Sequence, residues 1–294
     1  MINFLRWRYV AFCFSLALLA FFIVVMMGRG GMHFGVDFIG GVKVIAQFTT
    51  DVSEGEIRDA FADINAQIQQ IGEASQNQFI ISTKLSDDTE EKSSQDLLNV
   101  KRILIDKYPD TKFLSEETVG PAVGDILKRS AVKLFIIALI FMALYLAFRF
   151  EWKYAFGVMV SLMHDMILTF FFIGFQGIEM NIPIVAALLT IFGYTVNDTI
   201  VIFDRIRENV QFQSKETYVE IINKSLNQTM SRTLLTSLTS LFTVVMLYIF
   251  GGDVLNDFAL VLIFGIVIGT YSSIYIASPS IIIWEKLASK KKAH

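Results

Sequence analysis

This chain has almost no cysteine, few histidines and none of the motifs that mark soluble catalysis, and each gap excludes a class of function. One cysteine in 294 residues, Cys13, gives no disulfide framework and no metal-ligand spacing, and its place inside an apolar run suits a small packing residue. No HExxH pattern, P-loop or nucleophile elbow occurs, so neither a catalytic residue nor a metal site is expected. The adjacent His164 and Asp165 are neighbours in sequence, not a triad. Residues 28–130 hold 11 Lys/Arg against 17 Asp/Glu, a balance of −6, while the remainder is +3. An acidic central segment flanked by basic membrane borders does not suit nucleic acid.

Apolar residues, by contrast, abound: 54% of the chain is hydrophobic, 27 residues are phenylalanine, and the mean hydropathy is +0.54. The excess falls in blocks, the mark of membrane spans. The first runs from about Tyr9 to Met27 behind Arg6 and Arg8. It has the length needed to cross a bilayer, about 20 residues, and is too long for a signal-peptide core. It ends in Gly28-Arg29-Gly30-Gly31 with no small-x-small cleavage site, so an uncleaved span is expected. Five more blocks follow, roughly Val132–Phe148, Tyr154–Phe175, Ile184–Phe203, Leu234–Phe250 and Phe258–Trp284.

The short loops set the orientation. Arg6, Arg8, Arg149, Lys153, Arg205, Arg207, Lys215, Lys224, Arg232, Lys286 and Lys290–Lys292 all fall on one side of six alternating spans. The opposite short connections, around 176–183 and 251–257, have no Lys or Arg. The positive-inside rule then puts both termini in the cytoplasm and residues 28–130 outside. Trp7, Tyr9, Trp152, Tyr154 and Trp284 stand at the predicted cytoplasmic borders, where amphipathic rings prefer to sit. The expected organisation is a first transmembrane helix (1–27), an extracytoplasmic domain (28–130), a five-helix transmembrane region (131–285) and a basic cytoplasmic tail (286–294).

The large loop reads as a folded domain. Gly41–Thr49 alternates as a strand, with Val42, Val44, Ala46 and Phe48 on one face. Ser53 and Glu56 have the form of a capping box and predict a helix through about Gln70. Gln78–Leu85 reads as a strand, Ser86–Ser94 as a polar loop, Gln95–Tyr108 as a helix stopped by Pro109, and Thr111–Val119 as a further strand. This alternation predicts a small α+β domain, ferredoxin-like or of another topology, since strand order is not visible in sequence.

Polar residues at membrane depth are the candidate functional groups, because each is costly there. In the third span, Ser161, Asp165 and Thr169 share a face next to His164. That face is either a functional site or a structural clasp between helices. In the fourth span, Asn197 and Asp198 interrupt an apolar helix, with Tyr194 and Val201 on the face of Asp198. Asp198 reads as a carrier that takes up and releases protons, the alternative being an Asp held permanently charged by an Arg. In the fifth span, Arg232, Thr236, Thr239 and Thr243 form one stripe leading in from the cytoplasmic border. Arg232 is either the electrostatic partner of a titrating acid or a snorkelling anchor, and the threonines are either polar lining or interhelical glue. Gly265, Gly269, Ser272 and Ser273 in the sixth span read as a small-residue packing stripe.

Several segments resemble one family. Gly35-Val-Asp-Phe-Ile-Gly-Gly41, after the first span, resembles the GxDFxGG signature of SecD and SecF proteins, and Val119-Gly-Pro-Ala-Val-Gly124 their VGPxVG element. Gly193 to Asn209 reads GYTVNDTIVIFDRIREN and is similar to the SecF block GYSxNDTIVxFDRIREN. Ser231–Ser240, Gly251-Gly252 with Phe258-Ala259, and Gly269–Ser273 resemble the remaining blocks, in order along nearly the whole chain. Thr195 stands where Ser is commoner, and Leu235 and Ser240 replace commoner polar residues.

The resemblance implies the resistance-nodulation-division superfamily and a bacterial inner-membrane location with the 28–130 domain in the periplasm. It implies partnership with a SecD-like six-span subunit, the SecYEG channel and unfolded preproteins, and protons rather than a cofactor as the coupling agent. By motif, Asp198 is matched to the proton-pathway aspartate and Arg232 to an essential arginine, with Asn197, Thr236 and Thr239 beside them. Gly35, Asp37, Phe38, Gly40 and Gly41 carry the first signature. Two rival functions stay open: a stand-alone transporter of lipids or small molecules, and a non-transporting assembly factor whose buried charges fix helix register.

Overall fold

A computed structural model describes residues 2–64, 66–71, 77–83, 90–212 and 216–292. The chain opens with a 3-10 turn, Phe4–Trp7, that leads into helix α1 (Arg8–Gly28). Next come α2 (Val36–Ile39), β1 (Gly41–Gln47), α3 (Glu54–Ala60), β2 (Gln67–Ile71), β3 (Gln78–Thr83), α4 (Glu90–Lys107) and β4 (Lys112–Val119). Long helices follow: α5 (Pro121–Arg149), α6 (Trp152–Gln176), α7 (Ile182–Phe212), α8 (Tyr218–Phe250) and α9 (Asp253–Ser272). A π-helical segment, Ser273–Ala277, joins α9 to α10 (Ser278–Lys292).

Two compact units result. The helical unit takes the chain up to Met32, Phe135–Ile178 and everything from Pro183 onward. Among the described residues six helices are long and apolar enough to cross a membrane, one for each span read from the sequence. The hydrophobic blocks mark only their apolar centres: α7 continues past Phe203 to Phe212, and α10 carries the basic end of the chain as helix to Lys292. His294 and the residue before it lie outside the described residues.

Close approach between helices follows from small side chains, as expected for membrane packing. A Cβ on Gly269 would collide with the side chain of Thr195, and one on Gly265 with that of Ile191, so these glycines let α9 lie against α7. Phe172 and Phe264 stack at 4.0 Å between centroids with Phe22 against both, fixing α1, α6 and α9 together. α5 and α8 keep most of their apolar surface exposed within this chain.

The second unit, His33–Leu134 with Glu179–Ile182, is built on a four-stranded sheet in the order β2-β3-β1-β4, every pair antiparallel. The succession βαββαβ with this order is the ferredoxin-like arrangement. Val42, Val44, Ala46, Phe79 and Ile81 line the sheet's buried face against Ile57 of α3 and Leu104 of α4. The capping box at Ser53 and Glu56 forms as expected. The helix it starts does not reach Gln70: it ends at Ala60, and Gln67–Ile71 is a strand paired with Gln78–Ser82. Ile68 of that strand is buried in the core, but its glutamines hide the strand pattern in sequence, and pairing with β3 overrides their helical preference. Helix α4 starts at Glu90, inside the predicted loop Ser86–Ser94. The predicted strand and loop residues from Lys84 to Thr89 lie outside the described residues.

Candidate functional site

Two acids sit inside the helical unit, and neighbouring helices supply hydroxyls to both. Asp198, on α7, is 3% exposed. The Ser237 hydroxyl of α8 donates to one carboxylate oxygen at 3.1 Å, and the Thr236 hydroxyl stands 3.5 Å from the other. Thr270 of α9 donates to Ser237 at 2.8 Å, so three helices meet at this carboxylate. Tyr194, one turn earlier on α7, donates to the Thr236 carbonyl at 3.3 Å.

The register that aims Asp198 at Ser237 is set nearer the basic end of the pair. There the Asn209 amide of α7 donates to Ser225 and Gln228 of α8, each at 2.8 Å. Thr217 and Glu220 close a capping box that starts α8.

The other proposed residues of this site divide. Thr236 reaches Asp198, while Asn197 is exposed on the next face of α7, because adjacent helical residues point about 100° apart. Thr239 is exposed and bonds back to the carbonyls of Leu235 and Thr236 on its own helix. Arg232 is exposed on the same side of α8. Among the described residues it forms no ion pair with Asp198, although its charge acts on that carboxylate. Hydroxyls, not the guanidinium, hold the acid.

Asp165, on α6, is fully buried. His164 Nδ1 lies 2.9 Å from one carboxylate oxygen, and Ser272 of α9 donates to the other at 2.8 Å. His164 Nε2 lies 3.0 Å from the Ser15 hydroxyl of α1, itself 3.0 Å from the Tyr271 hydroxyl of α9. Tyr271 donates to the Ala11 carbonyl at 2.5 Å. The network thus ties α1, α6 and α9 and ends at the π-helical segment, where Ser273 meets Thr199 of α7 at 2.8 Å. Thr195 lies beside the same carboxyl group, and the buried hydroxyl of Thr169, one turn along α6, has no partner among the described residues.

Ser15, Ser237, Thr270, Tyr271 and Ser272 are the site residues that sequence reasoning missed. Ser237 lies in the Ser231–Ser240 block and Thr270 and Tyr271 in the Gly269–Ser273 block, while Ser272 belongs to the stripe read as packing and its hydroxyl also bonds Asp165.

The signature around Asp37 occupies the second unit. Asp37 accepts a hydrogen bond from the Ile182 backbone amide at 2.8 Å, placing a carboxylate at the start of α7, where the helix dipole favours it. The Gly35 backbone N–H donates to the Met180 carbonyl at 2.9 Å. Gly40 has φ +72°, and a Cβ there would meet the Pro121 Cα at 2.6 Å. A Cβ on Gly124 would meet the Gly40 nitrogen at 3.0 Å. The glycines of both signatures therefore allow two backbones to cross, while Phe38 is buried.

The profile described as "Protein export membrane protein SecD/SecF, C-terminal" matches residues 99–287. The chain belongs to the SecD/SecF family. The protein translocase subunit SecF of Desulfurispirillum indicum is 36% identical over 290 residues, covering 96% of this chain and 91% of that one. Protein translocase subunit SecDF of Thermus thermophilus is 37% identical over 270 residues, covering 90% of this chain and 36% of that one. The crystal structure of SecDF from Thermus, described as a translocon-associated membrane protein, superposes with a TM-score of 0.86 at 35% identity. It covers 97% of this chain, which spans 39% of that structure's length. In that SecD/SecF frame the chain is a multi-pass membrane protein with a ferredoxin-like domain after its first span.

Proposed function

We propose that this chain is a SecF-type auxiliary subunit of the Sec preprotein translocase, coupling proton movement at Asp198 to late stages of export across the bacterial inner membrane. The translocase role rests on the likeness to SecF and SecDF proteins. Both termini lie in the cytoplasm and residues 28–130 in the periplasm, on the distribution of basic loops. The periplasmic domain meets the unfolded preprotein, and the SecYEG channel delivers it.

One observation carries the proton reading: Asp198 is linked to a hydroxyl chain that can reverse. With the acid ionised, Thr270 donates to Ser237 and Ser237 to the carboxylate. With the acid protonated, its own O–H donates to Ser237 and Ser237 to Thr270. Thr270 then sends its hydrogen to the Ile266 carbonyl, 2.9 Å away. Hydroxyls can act as donor or acceptor, so both charge states keep their bonds at nearly the same geometry. A permanent ion pair with Arg232 would forbid that.

Arg232, Asn197 and Thr239 stand exposed on membrane-spanning helices, where bare lipid would make them costly. A SecD-like six-span partner covering the α7–α8 face accounts for them and supplies counter-charge to Arg232. The decisive experiment is preprotein export into membrane vesicles carrying Asp198→Asn together with the wild-type partner. Stimulation by a proton gradient should disappear, and its persistence would overturn the assignment.

A further inference from the structure

The Asp165 network holds more contacts than its hydrogens can fill without one added proton. The path from acid to backbone has four contacts: Asp165 to His164 Nδ1, His164 Nε2 to Ser15, Ser15 to Tyr271, and Tyr271 to the Ala11 carbonyl. A neutral imidazole, one serine and one tyrosine bring one hydrogen each, three in all. The Ser272 hydroxyl is spent on the other oxygen of Asp165 and cannot supply a fourth. With Asp165 ionised and His164 neutral, one contact would therefore set two lone pairs face to face. Adding a proton fills every contact in either of two ways: an imidazolium donates from both nitrogens, or a protonated Asp165 donates to Nδ1. In each case Ser15 donates to Tyr271, and Tyr271 to Ala11.

We propose that the Asp165–His164 pair is a second proton-binding site, loaded in this conformation, and that its occupancy decides whether α1 stays fastened to α6 and α9. The inference rests on the reading of the chain as proton-coupled, but it does not require Asp198 to be the carrier.

The surroundings fit a site whose charge state changes. The groups facing it are the His164 imidazole and Ser161 and Thr169 from α6, Ser15 from α1, Tyr271 and Ser272 from α9, and Thr195 from α7. Tyr275, its ring 5.4 Å from that of Tyr271, is the further titratable group beside it. Among the described residues no Lys or Arg bonds to the pair, so no fixed cation holds the acid permanently ionised. Thr169 and Thr195 are both at least nine-tenths buried; the Thr169 hydroxyl has no hydrogen-bond partner among the described residues, and Thr195 stands at the carboxyl group itself. A buried hydroxyl without a partner is costly in a fixed structure and useful where the acid's bonding changes. Ser272 directly precedes the π-helical segment, a local departure from α geometry that often accompanies function.

Loss of the proton would break one of the contacts that run through Ser15 to α1. The consequence can be read as a distance. The full chain with its six-span partner in lipid nanodiscs is spin-labelled on α1 and α10, and the α1–α10 distance is followed by pulsed dipolar spectroscopy between pH 5 and 9. All samples carry Asp198→Asn, which silences the first site. A single-proton transition from a short to a longer, broader distance is expected. His164→Gln should abolish its pH dependence. Ser15→Ala, which leaves the acid and the imidazole in place but removes the contact from His164 to α1, should also leave the distance without a pH response, while the pair still takes up its proton.

Proton uptake on the same samples should fall by about one per chain when His164→Gln and Asp165→Asn are combined. A distance that ignores pH while Asp198 is absent, or an uptake unchanged by the double substitution, would overturn the proposal. Neither result would bear on Asp198, whose own test is export.

Discussion

Asp198 and Asp165 are both aspartates buried in one helical unit, yet their settings differ in what holds them and what lies beyond. Asp198 receives hydroxyls from α8, a helix that leaves most of its apolar face exposed and carries an exposed cation, Arg232, on that side. Asp165 is sealed among α1, α6, α7 and α9 by a histidine and a serine. The first acid borders a surface that another subunit can complete. The second is complete within this chain. Position relative to a free face, more than burial, separates an acid suited to exchange with a partner from one suited to fastening helices.

The sharpest break in that comparison is functional. Asp198→Asn keeps the shape and most of the hydrogen bonds, so stability should change by less than about 1 kcal/mol. Export stimulated by a proton gradient should be lost entirely. Asp165→Ala should show the reverse order of effects, with stability falling first. It leaves His164 and Ser272 facing a hole, and removing one member of a buried polar network costs about 3 kcal/mol, less if water enters. Denaturation of the purified complex in mixed micelles measures this. Equal loss of stability in both variants would erase the distinction drawn here.

A smaller effect is expected at Arg232. Arg232→Gln should weaken association with the six-span partner about tenfold, with Arg232→Lys only partly restoring it because a lysine lacks the planar fork. Quantitative co-purification from membranes reads this directly. Unchanged association would mean that the exposed face of α8 contacts lipid and that Arg232 is an anchor.

How much of this could be read from sequence depends on the range of the contacts involved. The six spans were legible because a bilayer demands a fixed length of apolar residues, and the sequence of charged loops orders them. Asp198 and Asp165 were legible for the same reason: a carboxylate in an apolar run is conspicuous. Their partners were not. Ser15 lies 149 residues from His164, and Tyr271 lies 256 from Ser15, so no local pattern connects them. The pairing of Asp198 with Arg232 rests on charge and on the family resemblance; in the structure Ser237, one position beyond Thr236, bonds the carboxylate. Asn197 seemed to belong with Asp198 because it is adjacent, which on a helix places it on a different face. Strand β2 was missed because three of its five residues are glutamines, and only its partner β3 makes it a strand.

The smallest prediction concerns the second unit, where a charge sits outside the membrane and its sign can be worked through. The Ser53 backbone amide and hydroxyl both donate to Glu56, and these bonds hold the Glu56 carboxyl below its ordinary range. A carboxyl that is more acidic folded than unfolded stabilises the fold once pH exceeds its unfolded value. That contribution fades as pH falls through the unfolded value, about 4.5, towards the lower folded one. Protection of the α3 amides against hydrogen exchange should therefore decline in acid relative to those of α4. Glu56→Gln keeps a side-chain oxygen that can accept from Ser53 and removes the titration, so its α3 protection should become independent of pH over that range. Ser53→Ala should lower protection at all pH values, by about 1 kcal/mol. If the wild-type α3 followed Glu56→Gln through the acid range, the ionised form of the carboxyl would contribute nothing to the cap.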